Sequence, residues 1–430
     1  MCDSFVARGS RTTDGATLFA RNSDRRDREA PPLIQFPAAF HPRGSTLSCT
    51  HIGIDQVAET YRVMGHSPVW CWGFVHGVNE YGVAIGCHAT CSREPPEVAR
   101  GLIGMDLVRL GLERGRDARE ALEVIASLVE THGQGGPSRA PTGDEGHQNG
   151  FVIADGQSIW ILETTARAWA ARSVESGHLG NVLSLGSDWQ IGSRDLESAA
   201  HAQGFWNPDR RLDFSAAYGL PDRSSFPVGR RQAAVIRRLD GPPLSLATMK
   251  EWLCDHGPDP DPPNADRDAE DPDRDGICMH AGPTSMTTAS LAARLPEQTG
   301  RRPWPVWISF ATPCTGTFVP VYLEGTLPAV FASAGRVEGN ATGASGSVWQ
   351  AMRRLQEKAA ADPGRTLPVL RAKWSEVDRA IGIEHLEVEQ EVARLFALDE
   401  REAGAKILSR FMERTAERLL ETAAELVVAL

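Results

Sequence analysis

No two cysteines of this chain are spaced as C-x-x-C, and no histidines as H-E-x-x-H. The short-range zinc signatures and the thioredoxin-type redox motif are therefore missing. There is no glycine-rich phosphate loop, no dinucleotide fingerprint and no G-x-S-x-G turn, so nucleotide binding and a serine elbow have no support. No run of about 20 apolar residues exists, so no transmembrane helix is expected. On these grounds no metal, no cofactor and no membrane partner is expected. Lysine is scarce, only Lys250, Lys358, Lys373 and Lys406, and the net charge is −11. Phosphate backbones call for basic patches, so nucleic acid is not an expected partner. Asp3, Arg8 and Arg11 interrupt what would have to be a secretory signal, and the expected compartment is the cytoplasm.

Cysteine is present but scattered, at Cys2, Cys49, Cys71, Cys87, Cys91, Cys254, Cys278 and Cys314. In a long chain of this kind these read as free thiols, most of them buried. Cys2 stands apart. If Met1 is removed, one residue carries both a thiol and an α-amine of pKa about 8, which can take the thiol proton near neutral pH. A nucleophile paired with its own amine is established chemistry for N-terminal residues. Taken alone, Cys2 reads more simply as no more than the residue after the initiator.

Around it the chain reads as strand, turn and strand: Phe5 to Arg8, Thr12-Thr13-Asp14-Gly15, then Thr17 to Arg21. The return brings Arg21, Asn22, Ser23 and Asp24 beside Cys2. Arg21 could hold a thiolate and Asp24 could orient the amine, or both could belong to a solvated charge cluster with Arg25, Arg26 and Asp27. Strands are expected over residues 57–64, 69–75 and 83–86, the second a Trp-rich core strand. Helices follow, one from Met105 and one capped by Asp117 with Glu120 and stopped at Gly133. Phe151 to Ala154, Asp155-Gly156 and Ser158 to Glu163 form a second hairpin. Leu179 to Leu185 reads as a strand that carries Asn181, itself also readable as a turn residue. Helices are expected to Leu239 and from Leu246 to Cys254. Residues 257–276 form an acidic Pro/Asp loop whose EF-hand-like opening fails at Gly282, where a Glu is needed. Strands resume, and from Ser347 the chain is helical, packing on the body or on a partner subunit in a homo-oligomer. A papain-like pair at Cys87–His88 or Cys278–His280 is disfavoured, because both cysteines sit in strand-like context rather than opening a helix.

Several blocks in chain order resemble the secernin and bacterial dipeptidase family of N-terminal nucleophile hydrolases. They are Met1 to Phe5, Arg21-Asn22-Ser23-Asp24-Arg25, Gly77 to Gly86, Gly104 to Leu110, His132 to Gly136, Trp160 to Thr164 and Asn181 to Leu185. The resemblance implies an α+β fold, a four-layer αββα sandwich of two antiparallel sheets spanning residues 2–335, with a helical region at 347–430. It implies amide hydrolysis, typically of dipeptides; acylases that cut N-acyl amides are more distant relatives. It implies that Cys2 is the nucleophile, that Arg21 and Asp24 flank it, and that Asn181 positions it. An arginine after the helical middle maps to Arg230 or Arg231, with Arg230 preferred. Asn79, Cys87 and His88 are expected on the substrate side. Cys87-His88 stands where the dipeptidases tend to carry Asn-Glu.

Overall fold

The computed structural model describes residues 2–430 except 27–28, 96–98, 138–145, 222–231, 233–234, 258–275, 282–284 and 334–345. The acidic 257–276 stretch, its EF-hand-like opening, and Arg230 with Arg231 fall almost wholly or wholly outside the described residues.

Strand β1 (Cys2–Gly9) pairs antiparallel with β2 (Gly15–Arg25), placing Cys2 opposite Ser23 and Ser4 opposite Arg21. The connection is looser than a two-residue turn: Thr12 donates to the Gly9 and Ala16 carbonyls, and pairing closes at Gly9 and Gly15. Both glycines have positive φ, a backbone that suits glycine. In the first sheet the order is Ser176–Leu179, β1, β2, Ser285–Leu295, Val306–Phe310, Val319–Val321, with His280–Ala281 beside Ser285–Leu295. The second sheet runs Ile191–Gly192, Trp169–Ser173, Ile159–Thr164, Gln148–Ala154, Ala84–Thr90, His76–Asn79, Val63–His66, Leu33–Phe36. Every described pairing within the two is antiparallel.

Side chains alternate across a strand, and three apolar clusters record the consequence. Val6 and Phe19 point inward and meet Val152, Ile161, Val78 and Ala84 of the second sheet. Phe5, Ala7, Leu18 and Ala20 point outward, onto the helix Leu246–Leu253. On the far face of the second sheet Ile85, Phe151, Ile153 and Leu162 pack under helices α1 (Gly104–Arg114) and α2 (Ala118–His132). Helix, sheet, sheet, helix is the four-layer sandwich the sequence led us to expect. Asp117 caps α2 by accepting from the Glu120 N–H, and Gly133 ends it at φ 69°.

Two expected strands are not strands. Residues 69–75 form a loop, with Trp70 and Trp72 only partly buried. A Cβ on Gly73 would come within 2.1 Å of the Met105 carbonyl, so this loop is pressed against the start of α1. Its tryptophan serves a cation: Arg109 lies between Phe36 and Trp72, 3.6 and 3.9 Å from the ring centroids, and donates to the Trp72 carbonyl. The strand expected at Leu179 to Leu185 ends at Leu179. Beyond it, the buried Glu163 carboxylate collects the N–H groups of Ser184 and Leu185, which cannot then join a ladder.

The helices Val348–Ala361, Pro363–Ala397 and Arg401–Ala429 pack on the body. Trp349 donates to the Thr288 carbonyl and Trp374 to that of Thr315, and Phe411, Leu419 and Leu426 join the apolar cluster between the sheets. Among the described residues no helix is long and apolar enough to cross a membrane.

Candidate active site

Cys2 begins β1 half-buried at the edge of the space between the sheets. Its nitrogen, an amide N–H while Met1 is attached, donates to Asn181 Oδ1 at 2.7 Å. Asn181 Nδ2 donates to the Ala89 carbonyl, also at 2.7 Å. One side chain thus ties the chain start to the second sheet, just where the Ser176–Leu179 strand has ended. The Cys2 thiol lies 4.0 Å from the Asp24 carbonyl oxygen.

The other expected residues are placed differently from one another. Arg21 is buried, with Nη1 donating to His76 Nδ1 at 2.8 Å and Nη2 donating to the Cys87 carbonyl. Its path is cut to fit: a Cβ on Gly86 would sit 2.3 Å from Arg21 Cδ. The guanidinium is therefore committed to the second sheet. Arg25, four residues along β2 and on the same inward face, is the next arginine on the Cys2 side of the sheet. It is held by Glu29 at 2.5 Å, and Trp70 Nε1 donates to the same carboxylate. Arg25 lies in the Arg21–Arg25 block without a role of its own in the sequence, where strand alternation from Arg21 is the signal that picks it out. The same alternation turns the Asp24 side chain to the opposite face from Cys2, where its Oδ1 accepts from Thr287 at 2.7 Å. Asn181, rather than the Asp24 carboxylate, reaches the Cys2 nitrogen.

The three residues expected on the substrate side, Asn79, Cys87 and His88, each make bonds within the protein. Asn79 spends its amide on the Leu112 and Gly115 carbonyls and its oxygen on the Tyr81 and Val83 N–H groups, so it locks a turn against the end of α1. The Cys87 thiol points to the helical layer and donates to the Val75 carbonyl, and burial pushes its pKa up to about 11. His88 is fully buried beneath Cys2. A carbonyl only accepts, so its Nδ1 carries the hydrogen and donates to the Cys2 oxygen at 3.2 Å; Nε2 then accepts from Ser4 at 2.8 Å. His88 thus braces β1 across the sheets, with both ring nitrogens bonded to β1.

Donor logic also orders the histidines behind Arg21. His76 Nδ1 accepts from Arg21, so its Nε2–H donates to His66 Nδ1 at 2.8 Å. Burial, reinforced by Arg21, holds His66 at about 3, and burial drives His76 and His88 well below the ordinary imidazole value. All three are neutral in the folded protein. For His66 the folded pKa is depressed, so as pH falls below 6.5 the unfolded chain takes the proton first and stability is lost down to about 3. Relative to His66→Gln, the wild type should lose about 1.4 kcal/mol per pH unit across that window. Urea unfolding of both proteins at several pH values measures this; parallel curves would mean His66 is charged in the fold.

A cavity of about 440 Å³, lined by Arg62, Glu80, Trp304, Glu324 and Arg401 among others, shares no lining residue with the Cys2 neighbourhood.

Residues 1–179 match the model of peptidase family C69. The chain is 26% identical over 184 residues to probable dipeptidase B of Lactococcus lactis subsp. lactis (strain IL1403), covering 40% of this chain and 36% of the relative. It is 26% identical over 203 residues to probable dipeptidase A of Streptococcus pyogenes serotype M3 (strain SSI-1), covering 44% and 41%. The matches thus span about two-fifths of the length of these curated relatives. Among solved structures, a mutant conjugated bile acid hydrolase from Clostridium perfringens aligns at TM-score 0.39 and 14% identity, covering 75% of this chain and 92% of that one. Penicillin V acylase from Agrobacterium tumefaciens aligns at TM-score 0.38 and 13% identity, covering 75% and 85%.

Proposed function

We propose that this chain is a cysteine-type hydrolase of amide bonds in dipeptides, with Cys2 as nucleophile and its own α-amine as base once Met1 is removed. The observation that carries the reading is the 2.7 Å contact between the Cys2 nitrogen and Asn181 Oδ1. It fixes the atom that must move protons, and it does so beside the thiol. The match of residues 1–179 to peptidase family C69, and the dipeptidase relatives, supply the substrate class.

In this mechanism the amine takes the thiol proton as sulfur attacks the substrate carbonyl. Arg25 supplies a fixed positive charge on the inward face of β2, the face that carries Cys2. Asn181 holds the nitrogen, and its second amide hydrogen, with backbone N–H groups, faces the developing oxyanion. The ammonium then protonates the leaving amine, and water hydrolyses the thioester. Arg21 acts from behind, fixing the second sheet against β2, and the hydrogen bond from Thr287 to Asp24 fixes the strand end under the thiol.

The test is a panel of dipeptides and N-acyl amides offered to protein whose first residue is shown by intact mass to be Cys2. Dipeptide cleavage is expected; N-acyl amide cleavage alone would move the chain to acylase chemistry. No cleavage of either class would leave a secernin-like binding protein and overturn the proposal.

A further inference from the structure

On the outer face of the first sheet, four side chains from three separate stretches converge. His256 follows the Leu246–Leu253 helix, Cys278 and His280 lead into the Ser285–Leu295 strand, and Cys314 lies in the single turn of 3-10 helix Pro313–Thr315. One ligand atom from each lies within 4.8 Å of all the others. His280 Nε2 is 3.5 Å from Cys278 Sγ and 3.3 Å from Cys314 Sγ, and the two imidazoles meet edge to face at 5.1 Å. His256, Cys278 and His280 are buried and Cys314 is half-buried.

We infer that His256, Cys278, His280 and Cys314 form a structural zinc site. Two thiols and two imidazoles are the donor set that favours this ion. A tetrahedron with bonds of about 2.0 to 2.3 Å has edges of roughly 3.3 to 3.8 Å, the spacing His280 already keeps from both sulfurs. Four protein ligands fill the coordination sphere, so the ion is a staple and offers no open position for chemistry. The expectation of no metal rested on local spacing. Here Cys278-Met279-His280 supplies half of the ligands, and the other two come from remote positions that only the fold assembles.

The staple closes a specific junction. The chain leaves at His256 and returns at Gly276, where a Cβ would lie 2.7 Å from the His256 backbone. Asp255 accepts from the Cys278 N–H at 2.8 Å, and Asn22 of β2 donates to the Leu253 and Ile277 carbonyls on either side. Between two of the ligands, Met279 N–H donates to Thr287 Oγ1, which in turn donates to Asp24. The site therefore holds the outer layer onto β2 directly behind the strand end that carries the Cys2 neighbourhood. It stands whether or not Cys2 is a nucleophile.

Metal analysis of the full chain, purified with a thiol reductant and without chelator, is expected to give about one zinc per chain. Cobalt(II) exchanged into the protein should show the visible bands of tetrahedral coordination and sulfur-to-metal charge transfer. His256→Ala and Cys314→Ser should each bring bound metal down roughly tenfold or more, while Cys91→Ser retains it. If those variants fail to fold, the wild-type stoichiometry and cobalt spectrum decide alone. Zinc below about a tenth of an equivalent together with no cobalt uptake, or a Cys278–Cys314 disulfide in the reduced preparation, would overturn the inference.

Discussion

Cys2→Ala, in protein freed of Met1, is expected to lose dipeptide hydrolysis by a factor of about 10⁴ or more while keeping its fold. The size follows from removing the only group in the mechanism that bonds to substrate; in triad hydrolases the loss of a nucleophile costs about as much as the loss of the whole set. Retention of the fold follows from the surroundings. The thiol is half-buried, and its one described polar approach is a 4.0 Å contact to the Asp24 carbonyl, too long to carry much stability. The pairing of Cys2 with Ser23 and the His88 bond to the Cys2 oxygen are backbone interactions that alanine preserves. Thermal unfolding within about 1 kcal/mol of the wild type is therefore expected beside a dead enzyme. Unchanged turnover would remove Cys2 from the chemistry.

The second large effect concerns the nitrogen. Asn181→Ala should lower kcat by about 100- to 1,000-fold, the usual loss when a positioned oxyanion donor is deleted. Unlike the first variant it should also cost stability, about 0.5 to 1.5 kcal/mol, because it removes the side chain that accepts from the Cys2 nitrogen and donates to the Ala89 carbonyl. Asn181→Asp separates the two contributions. It keeps an acceptor for the Cys2 nitrogen and gives up the donor to Ala89, so it should lose stability like alanine yet retain the hold on the amine. Equal rates for the alanine variant and the wild type would show that the 2.7 Å contact has no part in turnover.

Local pattern carried the architecture further than the site. The β1–β2 return, the Asp117 cap, the Asp155-Gly156 hairpin and the C-terminal helices all follow from residues close together in sequence, where turn chemistry and periodicity act. The Trp70–Trp72 stretch misled because its apolar composition suits a core strand, whereas its actual role, a loop clamping Arg109 with Phe36, depends on helix α1 arriving from thirty-odd residues away. The approach of Arg21 and Asp24 to Cys2 was readable as proximity in the hairpin, and Asn181 came only through the family resemblance, but the direction of each side chain was not readable. Arg21 is drawn to His76 by a partner that only the second sheet supplies, and Asp24 is turned away from the thiol face by strand alternation. The His256, Cys278, His280 and Cys314 cluster is the extreme case: His256 and Cys314 lie far in sequence from the Cys278–His280 pair, and the fold brings the four together.

The central claim is that chemistry passes through Cys2 only when it is the first residue. Its most direct test is the intact and peptide-mapped mass of protein quenched in acid during turnover of a dipeptide. The account predicts an acyl group, added as a thioester, on the N-terminal peptide that begins at Cys2, and none on chains that keep Met1. Steady turnover by Met1-bearing chains, or an acyl adduct on any other cysteine, would contradict it.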